Sequence, residues 1–427
     1  MSGKSTLSPE DHRKRLRWGQ WTAFALTIAA YMVSFFHRVA PVSLSAELQQ
    51  SFHASSAELG TVSAVFFFAV MAMQIPTGVL ADTLGPRKIL FAGCLASAVG
   101  AFMFAASTSI FTACVGRGLI GVGAAVPFVA LLRLNASWFE ARQFATLSGL
   151  TILFGNLGSI LSTAPLEHIS RIVDWRIIID GTGIVSLVTG LLILIFVRDG
   201  PAAIGLPSPI AASRPAGESW RSQLLVVLRN PRTWPCFWVG FGICGTFFTY
   251  TSLWAVPFLV KTRGFDRQDA SLHVLVMVVV HAMTALVLGR LSDRMGNRKG
   301  LLTALAALYT VMWLPMFFPL DLFPYESYAV FALQGIGSTS YTLIWAIAKE
   351  VNPVRSAGIA VGVANTSMFL AAALLQPAIG ALMDKFGDAL GVSYSLALLV
   401  AVSLAGLVSA LRLVETRGRN VHNEKFA

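Results

Sequence analysis

The chain repeats itself once, about half its length apart. Ala81-Asp82-Thr83-Leu84-Gly85-Pro86-Arg87-Lys88 returns in altered form as Ser292-Asp293-Arg294-Met295-Gly296-Asn297-Arg298-Lys299. A glycine stands four residues before each aspartate, Gly78 and Gly289. The two aspartates are 293 − 82 = 211 positions apart in a chain of 427 residues. A period that long describes two homologous halves and excludes a solenoid of short units. Each copy sits where one long apolar stretch ends and the next begins. A weaker pair agrees: Arg142, followed seven residues later by Gly149, matches Arg355 followed by Gly362.

What is duplicated is apolar. Hydrophobic residues make up 55% of the chain and charged residues 12%, with a mean hydropathy of +0.69. A soluble domain carries about 25% charge. The charges gather between apolar stretches of about 20 residues or more, the length that crosses a bilayer as helix. Such runs lack the roughly ten-residue alternation of a membrane barrel, which leaves an all-α membrane protein. Counting them predicts twelve transmembrane helices, at 18–46, 57–81, 88–106, 110–135, 142–168, 174–198, 232–260, 270–292, 299–319, 325–350, 355–383 and 388–413. The expected organisation is a six-helix half at 1–198, a cytoplasmic linker at 199–231, and a second six-helix half with its tail at 232–427. A short amphipathic helix is expected in the linker over Ser219–Leu228. The first apolar stretch is too long for a signal-peptide core and is expected to be retained.

The net charge of +11 would suit a nucleic-acid binder, but its placement does not. Roughly 23 of the 32 lysines and arginines fall in alternate loops and tails, against about 6 in the loops between. That is the positive-inside bias. It places both termini, the linker and both repeat loops on the cytoplasmic side of a cell inner membrane, and it excludes nucleic acid as a partner. Cys94, Cys114, Cys236 and Cys244 lie in or beside apolar stretches without CxxC spacing, so neither a disulfide framework nor a metal site is expected. Ser2-Gly3-Lys4-Ser5-Thr6 lacks the upstream glycine and preceding strand of a phosphate-binding loop. No HExxH, GxSxG or GxGxxG stands in a credible context. The chain is expected not to be an enzyme, and to use neither a cofactor nor ATP.

The loop repeat resembles a signature of the major facilitator superfamily, G-x-L-A-D-x-x-G-x-R-K. It is nearly complete at Gly78, Asp82, Gly85, Arg87 and Lys88, and again at Gly289, Asp293, Gly296, Arg298 and Lys299. The resemblance implies two pseudo-symmetric halves related by an axis along the membrane normal, with a site between them near the midplane. It also implies a gating latch. An aspartate at a helix end accepts from the amides at a neighbouring helix N-terminus, and the latch breaks when the halves rock. Asp82 is expected to meet the eleventh span near Arg355, and Asp293 the fifth near Arg142, which completes the gating set. Arg117 with Gly121 in the fourth span resembles a second signature of the family, R-x-x-x-G.

Phe36-His37-Arg38-Val39-Ala40-Pro41, Trp138-Phe139-Glu140-Ala141-Arg142 and Trp254-Ala255-Val256-Pro257-Phe258 are similar to the anion:cation symporter branch of that family. The branch carries Asp where this chain has His37, and often Glu where it has Ala124. Those two acids are implicated in proton coupling there. Arg38 remains. No acid one or two turns away on its own helix can neutralise it, and Glu47 is nine residues further, about 13 Å along the axis. The candidate substrate-binding residues are Arg38, His37 and Arg117, with Tyr250, Trp254 and Tyr341 as aromatic lining with polar handles. Plainer roles stand beside these: a structural hydrogen bond for Arg117, ordinary helix packing for the aromatics, a buried structural imidazole for His281. Two readings of His37 stand side by side: a neutral histidine hydrogen-bonded to a neighbouring helix, or a replacement for the missing acid as the proton site beside Arg38, charging once an anion has entered.

An interior cation without a counter-charge favours an anionic ligand. The acid well inside a span is Asp180, near an outer end. The implied function is secondary active transport of a small organic anion, a carboxylate or sulfonate, with a proton or another coupling ion, by a monomer in the lipid bilayer. Two other readings stay open. Proton-driven efflux of lipophilic compounds would want a buried carboxylate. A transporter-like membrane receptor would be expected to carry an appended cytoplasmic domain.

Overall fold

A hydrocarbon layer of about 30 Å takes roughly 20 residues of helix. Helices of that length make up most of the computed structural model, which describes residues 9–139, 141–204, 220–318 and 324–422. In chain order the passes are α1 (Pro9–Ser43), α2 (Ser56–Leu84), α3 (Pro86–Ala105), α4 (Ile110–Asn135), α5 (Ala141–Leu161) and α6 (Trp175–Phe196). They continue with α7 (Thr233–Arg263), α8 (Arg267–Met295), α9 (Arg298–Phe317) and α10 (Glu326–Glu350). The last apolar helix, Ala357–Leu411, runs for 55 residues. Straight, it would be about 80 Å long, far more than one crossing needs. Gly387, at φ 73° and ψ −179°, breaks its path and divides it into α11 (357–386) and α12 (388–411).

Among the described residues ten helices are long and apolar enough to cross a membrane, Ala357–Leu411 counting once. Dividing it at Gly387 and adding the 21-residue α5 agrees with a count of twelve. The limits follow those expected, with two local differences. α1 begins at Pro9 and ends at Ser43, and α5 stops at Leu161, before a separate short helix at Ala164–Ser170. The linker carries a helix at Trp220–Arg229, one residue from the expected place.

Both copies of the loop repeat turn at a glycine with positive φ. Gly85 (φ 87°) and Gly296 (φ 59°) occupy the left-handed region that residues with a Cβ avoid. The helix that follows each is closed by a carboxylate from the end of its own half. Asp199, just beyond α6, accepts from Arg87 N at 2.7 Å. Glu415, just beyond α12, accepts from Arg298 N at 3.1 Å and Lys299 N at 2.8 Å. A helix N-terminus has amides without helical partners and draws negative charge, so the same physics closes the same corner twice. Arg87 adds a bond from Nε to Leu194 O at 3.1 Å, tying α3 to α6. Lys88 is exposed.

The halves touch at one face and part towards the other. Away from the repeat loops, α2 and α11 meet backbone to backbone. A Cβ on Gly60 would lie 2.5 Å from Gln376 O, and one on Gly380 would lie 2.2 Å from Ser56 O. Further along, side chains make the contact: Asn365 Nδ2 donates to Gln74 Oε1 at 2.9 Å, and the Phe67 and Phe369 rings are 6.3 Å apart. At the repeat-loop face, a Cβ on Gly78, Gly358 or Gly362 would meet nothing within 4 Å.

Losing a helix cap costs about 1 kcal/mol. Asp199→Ala and Glu415→Ala should each lower the thermal midpoint of the purified protein, and the double variant should fall further than either. Wild-type midpoints in both single variants would show that these carboxylates do not close the two corners.

Candidate binding site between the halves

Tyr31, Phe35 and Arg38 stand at i, i+4 and i+7 on α1, one face of a helix. That face looks at the second half. The Arg38 guanidinium lies 3.7 Å from the Phe35 ring centroid and 4.4 Å from that of Phe248 on α7. Arg38 Nη2 donates to Ser159 Oγ of α5 at 3.4 Å, while Nε has no partner. Among the described residues no carboxylate pairs with it. Ring faces and one hydroxyl offset part of the cost of this half-buried cation, but they supply no counter-charge.

Aromatic contacts lead on from Arg38 into the second half. Phe248 meets Tyr341 edge-on at 6.3 Å, and Tyr341 stacks on His281 at 5.8 Å. The other face of His281 stacks on Phe247 at 4.7 Å, and its Nδ1 lies 2.8 Å from Ser338 Oγ. Tyr341 also contacts Trp345 at 5.8 Å.

Of the residues singled out from the sequence, Arg38 and Tyr341 are brought to this cluster. Arg117 is buried within the first half, where Nη1 donates to His37 O at 2.9 Å and the guanidinium lies 4.8 Å from the Phe66 centroid. His37 is 1% exposed, and neither ring nitrogen has a partner. Its backbone carbonyl accepts from Arg117, and its ring meets Phe36 edge-on at 6.1 Å. Consecutive helical residues project about 100° apart, so neighbours in sequence need not share a site. Tyr250 is packed inside the second half, with the Trp313 ring at 5.0 Å. Trp254 is buried against Phe258, in a turn that packs on α1, with Nε1 unpartnered.

Tyr250 and Phe248 point to different sides of α7, since residues two apart on a helix lie about 200° apart. α7 contains two π-helical turns, Gly240–Cys244 and Tyr250–Trp254. Each holds one residue more than the regular spacing and rotates the rest of the helix about its axis. Phe248, between the two turns, is the residue of α7 that meets Arg38. Tyr31 and Phe35 were visible in principle, through their spacing from Arg38.

Charged contacts hold the opposite face shut. Arg267, at the start of α8, donates from Nη2 to Ser43 O at 2.9 Å and to Glu47 Oε2 at 2.8 Å, and lies 3.1 Å from Glu167 Oε2. Glu167, in the short helix after α5, accepts from Arg171 Nε at 3.3 Å through its other oxygen. Asp384 of α11 accepts from Ser56 N and Ala57 N at 2.8 Å each, the first amides of α2. This is the contact expected of Asp82, a carboxylate on a helix of the other half, made at the other face. The buried acid also differs from the sequence account. Glu167 is 0% exposed, because the chain breaks after Leu161 and turns it inward, whereas Asp180 is half-buried.

At the repeat-loop face, Asp293 bonds within its own loop, to Arg298 Nη2 at 3.0 Å, and Arg298 reaches Glu350 Oε1 of α10 at 3.1 Å. The side chains of Asp82, Arg142 and Arg355 lie outside the described residues.

A sequence model of the Major Facilitator Superfamily matches residues 23–374 and 242–426. The chain is similar to a probable sulfoacetate transporter of Cupriavidus necator, 25% identical over 403 residues that cover 88% of this chain and 89% of that one. A D-galactonate transporter of Escherichia coli is 21% identical over 420 residues, covering 92% and 95%. Among solved structures, a D-xylose-proton symporter superposes with a TM-score of 0.72 at 15% identity, over 94% of this chain and 99% of that one.

The Arg267 contacts should favour closure of the opposite face by about 1 kcal/mol, a roughly fivefold bias. Spin labels at Gln50 and Gln268, one on each half, report that closure. Arg267→Ala should shift their distance distribution to longer values. An unchanged distribution would mean that the cluster does not hold the face shut.

Proposed function

The chain belongs to the Major Facilitator Superfamily, whose members are multi-pass membrane transporters and not enzymes, and from that premise we propose that it takes up a small organic anion together with a proton. The observation that carries this reading is Arg38: a guanidinium between a ring of each half, without a carboxylate partner among the described residues. A desolvated cation in that position is costly. A ligand carboxylate or sulfonate would supply its counter-charge through two parallel hydrogen bonds. The names of two relatives support the same chemistry, since sulfoacetate and D-galactonate each carry a carboxylate.

The repeat-loop face bears most of the basic residues and is assigned to the cytoplasm. Both termini then lie inside, in a cell inner membrane, and the face that is parted here is the inward one. The units that move are the halves at 1–198 and 232–427, joined by the linker at 199–231, in a monomer. An anion between Arg38 and Tyr341 bridges the halves. Binding biases their rocking only because such a bridge differs between the two states. In the outward-open state, Asp82 and Asp293 take over the latching that Asp384 and Arg267 perform here. Cationic-drug efflux is disfavoured because Glu167, the acid buried among the described residues, is engaged by Arg171 and Arg267.

Losing the guanidinium should cost about 3 kcal/mol, on the order of 100-fold in affinity. Arg38→Lys should fail as Arg38→Ala does, because an ammonium cannot reproduce the planar fork. The measurement is calorimetric binding of sulfoacetate and D-galactonate to folded protein. Affinity near wild type in both variants would move the site elsewhere and reopen efflux. Asp82→Asn should slow transport in liposomes more than it weakens binding. Unchanged turnover by a folded variant would contradict the latch.

A further inference from the structure

The anion reading leaves the proton without a place. One reading of the sequence gives it to His37, but neither nitrogen of that ring has a hydrogen-bond partner among the described residues. His281 is held differently. Ser338 Oγ lies within hydrogen-bonding distance of both Gly335 O, at 2.7 Å, and His281 Nδ1, at 2.8 Å. When the hydroxyl donates to Gly335 O, Nδ1 carries the ring hydrogen. In a neutral imidazole that leaves the lone pair on Nε2. His281 is buried, 4% exposed, and Nε2 has no hydrogen-bond partner among the described residues. In that tautomer Nε2 is the nitrogen left to take a proton.

The ring's surroundings suit a charge that comes and goes. Phe247 and Tyr341 cover its two faces, at 4.7 Å and 5.8 Å. Aromatic faces attract a cation. The titratable and charged neighbours are few. From α1, Arg38 acts on His281 through space. From α10, Tyr341 stacks on it, and from α7, Cys244 lies against Tyr341; both are neutral near pH 7. An imidazolium here is opposed first by burial and second by the positive charge of Arg38. An anion on Arg38 removes the second of these.

We propose that Nε2 of His281 is the binding site of the coupling proton, and that it is charged when an organic anion occupies Arg38. The inference rests on the anion reading above and deepens it. Anion first and proton second leaves the cavity of the doubly loaded carrier at the same charge as the empty one, +1 from Arg38, so a monoanion and one proton together add a net charge of zero. No bond other than N–H forms or breaks: the proton comes from water on the face where the anion enters and leaves to water on the other.

The test is the pH dependence of anion affinity, with sulfoacetate, D-galactonate and D-galacturonate as probes, all fully ionised between pH 6.5 and 8.5. Uptake of one proton on binding makes wild-type affinity fall with rising pH, by up to tenfold per unit where uptake is complete. His281→Gln should still bind, more weakly, with affinity independent of pH, and His281→Asn should do the same. A slope retained in folded His281→Gln, a flat wild-type profile, or a slope lost in His37→Gln alone overturns the proposal. If neither His281 variant folds, carbon-13 NMR of the histidine rings in the wild type reads the same event. No histidine passing to its charged form on anion binding then overturns it. Failure of all three probes to bind wild-type protein removes the anion reading itself. Binding without the proton slope removes this inference alone.

Discussion

The guanidinium of Arg38 sits between Phe35 of one half and Phe248 of the other, at 3.7 Å and 4.4 Å. Its environment is adapted to a cation in every respect but one. Ring faces attract it and Ser159 accepts a weak hydrogen bond, yet no described carboxylate answers its charge. Bound ligand is then part of the electrostatic structure of the interface. In the proposed cycle, the sign of the substrate, the order of loading and the coupling of binding to rocking all follow from that missing counter-charge. The Tyr341–His281–Ser338 sequence of contacts sits on the far side of the same gap, so whatever neutralises Arg38 is felt by the imidazole as well.

Around this centre the molecule uses one device three times. Asp199 and Glu415 each place a carboxylate on a helix N-terminus within a half, and Asp384 places one on a helix of the other half. The bonds are alike and the consequences differ. Inside a half, the capped helices are also joined along their length by close packing, as at Gly100 and Gly116 between α3 and α4, so the corner is permanent. Between the halves, Asp384 is exposed and its contact is screened by water and salt. Interactions of about 1 kcal/mol are strong enough to bias two states and weak enough to exchange. The asymmetry seen here, closed at Asp384 and Arg267 and parted at Gly78 and Gly358, is what a reversible clamp on one face looks like.

How far the chain could be read without its structure depends on the physical quantity each signal measures. Helix count, span limits and the pairing of halves depend on runs of apolar residues about as long as the bilayer is thick, and on a repeat separated by half the chain. These are properties of one dimension. The length of Ala357–Leu411, twice what a crossing needs, is the same kind of fact, and the turn at Gly387 is its outcome. Depth is one-dimensional too, so the sequence could place His37, Arg38 and Arg117 at one level.

The sequence by itself determined the family, the all-helical multi-pass fold, and that α1 carries an arginine with no acid one or two turns away on the same helix. Only the tertiary structure decided which way each side chain points around its helix axis. His37 and Arg38 are adjacent in sequence and part company because a helical step turns by about 100°. Phe248 meets Arg38 and Tyr250 does not, because two residues apart on a helix is a turn of about 200°. Glu167 is buried because the chain breaks after Leu161. Hydropathy and spacing report how deep a residue lies; azimuth is set by which neighbouring helix packs against it, and that information resides in contacts between residues more than a hundred positions apart, such as Arg38 with Ser159.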